Sequence, residues 1–208
     1  MRRVRGVLAL HPSLHGTRGR PRQHVSDVLR GALVLAVGAL DGLVLEASIE
    51  AVAPVAEAEG LGASYAKWVK DDPAAFWDAL TRLDPPSAIA EVGRARLSTT
   101  TFQRSQMIEG VLRDVVGCDA PWANAANRLS RSGRAWAAED VRKALDLIVE
   151  RRHAIAHSGD LNPGLRATPI TLRYVEEATN VVDAVGIAVC DVVNRRVRQV
   201  CRRPLPVE

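Results

Sequence analysis

The densest set of chemically capable side chains lies in Leu147-Ile148-Val149-Glu150-Arg151-Arg152-His153-Ala154-Ile155-Ala156-His157-Ser158-Gly159-Asp160. Val141, Leu145 and Ile148 recur at helical spacing, and the same stripe continues through Arg152 and Ile155. The spacing therefore predicts a helix that turns Arg152 toward its core side, where a cation is costly unless something pairs with it. His157 falls at the end of that helix, beside Gly159. A guanidinium is a planar fork that grips phosphate bidentately, and an imidazole titrates near neutrality and can move a proton. These two groups suffice to cleave RNA without a metal. A base takes the 2′-hydroxyl proton, that oxygen attacks the adjacent phosphate, and the Arg stabilises the developing charge.

Two other readings of the same residues stay open. Arg151 and Arg152 can lay their stems along apolar surface with the heads in water, while His157 caps carbonyls at a helix C-terminus. Alternatively, Glu150, His153 and His157 stand at i, i+3 and i+7, with donor types that suit zinc or another transition metal. The remaining histidines, His11, His15 and His24, lie far off in sequence. The expectation is no metal and no cofactor.

The elements that must position this stretch read as helices throughout. Residues 1–23 hold Pro12, Gly16, Gly19 and Pro21 and read as a basic tail without fixed structure; 24–203 reads as one domain. A long helix starts near Ser26, its expected N-cap, and is expected to break at Pro54. It is apolar round most of its girth, which predicts burial. Its glycines, Gly31, Gly38 and Gly42, suggest close helix contacts. Shorter helices follow around 65–69, from Pro73 behind an Asp72 cap to about Leu83 (stopped by Pro85 and Pro86), over 98–116 with Gly117 as the stop, and from Pro121 to about Leu129. Two long helices close the chain: 138–157, and one capped by Thr168 with Pro169 first, running to about Arg202. Ser158–Asp160 and Asn162-Pro163-Gly164 form the loop between them. The fold class is all-α, a helical bundle with the long first and last helices as its core pair.

Composition narrows the function classes. The chain has 208 residues and a net charge of +4. Residues 1–23 carry six Arg and no acid, and residues 195–208 carry five Arg and one Glu, so the body 24–194 has a net charge of −6. Basic ends around an acidic body attract phosphate without reading it. Three widely spaced cysteines, Cys118, Cys190 and Cys201, imply neither a disulfide framework nor a zinc ribbon, and point to the cytoplasm. The longest apolar run, Gly31–Leu40, is short for a membrane span. Two Phe, two Tyr and four Trp are few for an aromatic RNA-binding platform. There is no Walker A loop, GxGxxG, GxSxG or HExxH.

The segment Arg152-His153-Ala154-Ile155-Ala156-His157 resembles the R-x4-H form of the Rx4–6H motif of the HEPN superfamily, and the Ser158-Gly159 that follows is similar to that family's RN-x-IAHG pattern. Residues 147–151 resemble the lead-in to the motif, and the nearest likeness is to the RiboL-PSP-HEPN branch. In that branch an early helix carries an Arg and, after an apolar run, a Glu; here Arg30 and Asp41 stand in similar places, eleven positions apart. The resemblance covers the first long helix and the last two. It implies a metal-independent endoribonuclease, a homodimer with a shared cleft, and a role in toxin–antitoxin or phage-defence systems, with a cognate antitoxin as a partner. It further implies Arg152 on the scissile phosphate, His157 as acid and base, and His153 as the orienting group. Asp41 would pair with Arg152, and Arg151 and Arg30 would be substrate-binding. Glu46 and Asp160 read as ordinary surface or loop groups. The competing reading is a non-catalytic helical module that binds RNA, a nucleotide or a protein.

Overall fold

The computed structural model describes residues 1–15, 23–60, 63–131, 133–161 and 166–202. Among these it is all-α: α1 (Arg2–His15), α2 (Gln23–Glu59), α3 (Ala63–Asp71), α4 (Pro73–Arg82), α5 (Pro85–Leu97), α6 (Ser105–Val111), a π-helical turn (Leu112–Val116), α7 (Trp122–Ser130), α8 (Ala138–Ser158) and α9 (Leu172–Cys201). The only extended pairing among them is a single bridge between Leu161 and Ala167.

The chain divides into two compact units, Met1–Asp41 with Trp122–Val185, and Gly42–Pro121 with Gly186–Glu208. The two long helices, α2 with 37 residues and α9 with 30, each contribute to both. In the first unit the buried residues come from one stripe of α2 (Leu29, Leu33, Ala36, Val37, Leu40), the expected stripe of α8 (Val141, Leu145, Ile148) and the Val-rich face of α9 (Val175, Val182, Val185). In the second, Tyr65 sits in a core with Val52, Ala79, Ala88 and Val92, and its ring meets Trp68 at 5.5 Å between centroids.

Several boundaries differ from expectation, each for a local reason. Residues 2–15 are helical, not a tail. Val4 and Leu8, one turn apart, are buried, and Arg5 pairs with Asp183 on α9 at 2.7 Å. The tail's other arginines, Arg18, Arg20 and Arg22, lie outside the described residues, as do 162–165 of the last loop. The long helix starts at Gln23, ahead of Ser26, and runs through Pro54 to Glu59. A proline removes one hydrogen bond from a helix, and burial of Val52 and Val55 on either side of it holds the helix together. Pro85 does not stop a helix but opens α5, with Asp84 as N-cap accepting from the Ser87 N–H at 3.1 Å. Asp72 caps α4 as expected, accepting from the Ala75 N–H at 3.1 Å. Thr168 does not cap α9; Thr171 does, its Oγ1 accepting from the Tyr174 N–H at 3.2 Å.

The glycines of α2 also depart from expectation. Gly31, Gly38 and Gly42 are exposed, and a methyl group added at any of them would meet nothing within 4 Å. They lie on the outer face of the helix, away from the buried Leu29–Leu33–Ala36–Leu40 stripe. By length and composition α2 would pass for a membrane span, with a mean hydropathy of 2.0 over its most apolar window. The core helix of a soluble protein passes the same test, and 44% of that window is buried.

Gly117 is a different case. It ends the π-helical turn at φ +70°, in the left-handed region, and an added Cβ would lie 3.2 Å from Arg196 Nη2. Arg196 is pinned there by Glu59, whose Oε1 accepts from Nη1 at 3.2 Å, and by the Val116 carbonyl. Two opposite outcomes follow for glycine-to-alanine changes. Gly38→Ala fills open space on a helix and is expected to raise stability by about 0.5–1 kcal/mol. Gly117→Ala forces a β-carbon into the left-handed region and is expected to lower it by about 1–2 kcal/mol. Urea denaturation of the two variants beside the parent chain measures both; equal signs would overturn this account of the helix faces.

Candidate functional site

Helix α8 begins with its N-terminal donors partly satisfied by its own sequence, because the Asp140 carboxylate accepts from the Ala137 N–H at 3.1 Å. It ends at Gly159 and Asp160, which take φ +61° and +63°, so that both residues turn the chain left-handed. The Asp160 N–H donates back to the Ala154 carbonyl at 3.0 Å, and the Ser158 hydroxyl bonds that same carbonyl at 2.7 Å. Glycine adopts this conformation freely; Asp is among the few other residues that tolerate it.

That turn delivers Asp160 to the interior. Far from being an ordinary loop group, Asp160 is 2% exposed and receives two arginines from different helices. Arg30 Nε donates to Asp160 Oδ2 at 3.0 Å, and Arg151 Nη2 donates to the same oxygen at 2.8 Å. Arg30 also donates to Asp27 Oδ1 at 3.1 Å and, through Nη2, to the Thr168 carbonyl at 2.8 Å. Arg151 Nη2 reaches the Thr168 and Pro169 carbonyls, both at 3.2 Å. The Asp160 backbone carbonyl accepts from the Thr168 N–H at 2.8 Å and from its hydroxyl at 3.0 Å. The cluster closes the loop from α8 to α9 and ties it to α2.

The candidate residues therefore separate into two groups. Arg30 is buried, at 7% exposure, with a donor from each of its three nitrogens directed to protein oxygens, and Arg151 is held by Asp160. Both are anchors of the fold rather than free grips for a substrate. Arg152, His153 and His157 make up the second group. Arg152 is half-buried, and its Nε is buried with no hydrogen-bond partner. The expected pairing with Asp41 therefore does not involve that atom; Asp41 is half-buried on α2 and has an interaction of its own. His157 is exposed, and its ring meets that of His153 edge-on, 6.0 Å between centroids. Glu46, read as a surface group, is one: it pairs with Arg94 at 2.5 Å, and that hydrogen bond holds its carboxyl below the usual range.

Five positions separate Arg152 from His157, which on an α-helix is about 140° around the axis and ~7.5 Å along it. The two groups thus leave α8 on different faces near its C-terminal end. Among the described residues no group of three or more His, Cys, Asp or Glu side chains is placed to hold a metal ion, so Glu150, His153 and His157 do not assemble the alternative metal set.

No family model, curated protein or solved structure matches this chain.

Sequence reading missed Asp160, although one signal was present. An Asp directly after a helix-ending Gly can take the left-handed turn, and that turn redirects its side chain. Asp160→Ala removes the shared acceptor, leaving Arg151 without a carboxylate and the buried Arg30 with the exposed Asp27 as its counter-charge. It is expected to cost about 3–5 kcal/mol, against less than 1 kcal/mol for Glu46→Ala at the exposed Arg94 pair. Chemical denaturation of the two variants checks this, and comparable losses would remove Asp160 from its central place.

Proposed function

We propose that the chain is a metal-independent endoribonuclease of the HEPN type that acts as a cytoplasmic homodimer in a toxin or defence role, with a cognate antitoxin as a protein partner. What supports this reading is the division between neighbouring arginines. The Nε of each is buried without a partner, but Arg151 is held through its Nη2 by the buried Asp160, whereas Arg152 stands outside that cluster, at the helix end that also carries the exposed His157. An unpaired buried donor is costly, and an oxygen of a bound phosphate would relieve it.

In this mechanism the Arg152 guanidinium holds the scissile phosphate. His157 takes the proton from the 2′-hydroxyl, whose oxygen attacks phosphorus. The P–O5′ bond breaks as the 5′-oxygen takes a proton from water, His157 returns its proton to solvent, and a 2′,3′-cyclic phosphate remains on the upstream fragment. Negative charge grows on the phosphoryl oxygens in the transition state, where a fixed guanidinium is most effective. Because Arg152 and His157 point to different faces of one helix, the reading calls on a second copy to bring the His of one chain to the phosphate held by the other.

The second reading, a non-catalytic helical module, draws support from the structural roles of Arg30 and Arg151. Incubating the purified protein with single-stranded RNA in excess EDTA separates the two. The expected products end in 2′,3′-cyclic phosphate. Arg152→Ala and His157→Ala are each expected to lower the rate at least a hundredfold with helicity by circular dichroism unchanged. Absence of cleavage over several RNAs would favour the non-catalytic module, and cleavage abolished by EDTA would overturn the metal-independent mechanism.

A further inference from the structure

On the first unit, a groove of about 350 Å³ opens between α7, α8 and α9, apart from the motif side chains. Its wall on α8 is Ala144, Leu147 and Ile148, and its wall on α9 includes Tyr174 and Val181. The segment between α7 and α8 supplies Arg134 and Trp136. Three features make it more than a gap in packing. Leu147, on its rim, is 63% exposed, whereas the helix's other leucine, Leu145, is fully buried. Trp136 is fixed through its backbone, whose N–H donates to Ser130 Oγ at 2.9 Å, and the Arg134 guanidinium lies over its ring at 4.8 Å from the centroid. Finally, the lining includes two exposed polar residues of α9, Asn180 and Glu177, the latter accepting from Arg173 Nε at 2.9 Å, and the Asn180 amide offers a donor and an acceptor to the edge of a flat ligand.

These are the components with which proteins take up an unstacked base: an aromatic face, a guanidinium plane, apolar walls and an amide at the edge. The volume is near the lower end of small-molecule pockets, which run from ~300 to 1,000 Å³, and suits one nucleoside rather than a larger ligand. The position also suits it. Ile148 lies one helical turn before Arg152 on α8. At the far wall, Tyr174 is close enough to Arg151 and Asp160 for both to act on its phenol, which burial pushes up. The groove thus adjoins the end of α8 that carries the motif.

We infer that this groove is a nucleobase subsite, which receives one unpaired base of a single-stranded RNA and stacks it against Trp136 and Arg134. The identity of the strand rests on the ribonuclease reading; the affinity for a base does not. Such a subsite gives the protein a preference for the nucleotide at one position of its substrate, because Asn180 and Glu177 meet the four base edges differently.

The test uses 2′-O-methyl RNA nonamers, which carry bases and phosphates but lack the nucleophile, so binding is read without cleavage. The full-length chain is expected to bind homopolymeric nonamers with affinities that differ between bases. Trp136→Ala is expected to weaken the best of them about tenfold, the usual size of losing one base–aromatic stack, and to flatten the differences. Arg134→Gln, at an exposed side chain whose loss leaves the core intact, is expected to act in the same direction. The outcome separates this inference from the one it rests on. If unmodified RNA is cut in EDTA while both variants bind the nonamers as the parent does, the subsite is overturned and the ribonuclease stands. If RNA is not cut but both variants lose base-dependent binding, the ribonuclease falls and the subsite stands. If Trp136→Ala instead abolishes concentration-dependent self-association and spares nonamer binding, the groove is a protein contact and the subsite is overturned.

Discussion

A single carboxylate oxygen, Asp160 Oδ2, receives guanidinium groups from two helices 121 positions apart in sequence, Arg30 on α2 and Arg151 on α8. The other local geometry of the first unit follows from it. Burying a lone carboxylate is prohibitive, and Asp160, with a side chain 1% exposed, depends on the two guanidinium groups it receives. With Asp27 also on Arg30, two acids balance two bases, and the Thr168 and Pro169 carbonyls take up the remaining hydrogens. The cluster therefore specifies where α8 must stop, which way the chain leaves it, and where α9 can begin. Breaking it costs far more than any exposed ion pair in the molecule, such as Arg82 with Asp78 and Glu91, because water cannot replace the lost partner.

The same interaction distinguishes two adjacent arginines that composition treats alike. Successive residues of a helix lie 100° apart, so Arg151 and Arg152 cannot both reach Asp160. The first is turned so that its Nη2 reaches the buried acid; the second is turned along the core stripe, beyond Ile148, and like its neighbour keeps a buried Nε without an acceptor. The anchor thereby serves the open position beside it: a helix end held by Asp160 gives Arg152 and His157 fixed points of departure. A site on a rigid element needs less ordering when a ligand arrives than one on a loop.

What was legible in the sequence was what depends on near neighbours. The α8 stripe, the Asp72 cap on α4 and the left-handed stop at Gly117 are each determined within a few residues, and each was found where it was read. Pro85 was misread for the same local reason: proline marks both the end of one helix and the first turn of the next, and only Asp84 before it decides which. Asp160 was not legible, because its meaning depends on Arg30, 130 positions away. The glycines of α2 were misread as marks of close helix contact, because small residues leave room for another backbone whether or not one fills it. Of the candidate site, Arg152, His153 and His157 lie at the end of one helix, as their spacing placed them, while Arg30 and Arg151 are joined through Asp160.

The charge at the start of the chain takes on a different meaning once α1 is a helix. A disordered arm of arginines raises the local concentration of any polyanion without direction, and loses entropy when it binds. Arg2, Arg3 and Arg5 instead stand exposed on a helix held by the burial of Val4 and Leu8 and aligned with α9 by the Arg5–Asp183 pair. Part of the pair's charge is neutralised by Asp183, but Arg2 and Arg3 are fixed in space on the same unit as Arg152 and the groove beside it. Charges fixed on a folded helix produce a directed field rather than a diffuse one. On the ribonuclease reading proposed above, a phosphate chain drawn to α1 would meet the unit that carries the motif.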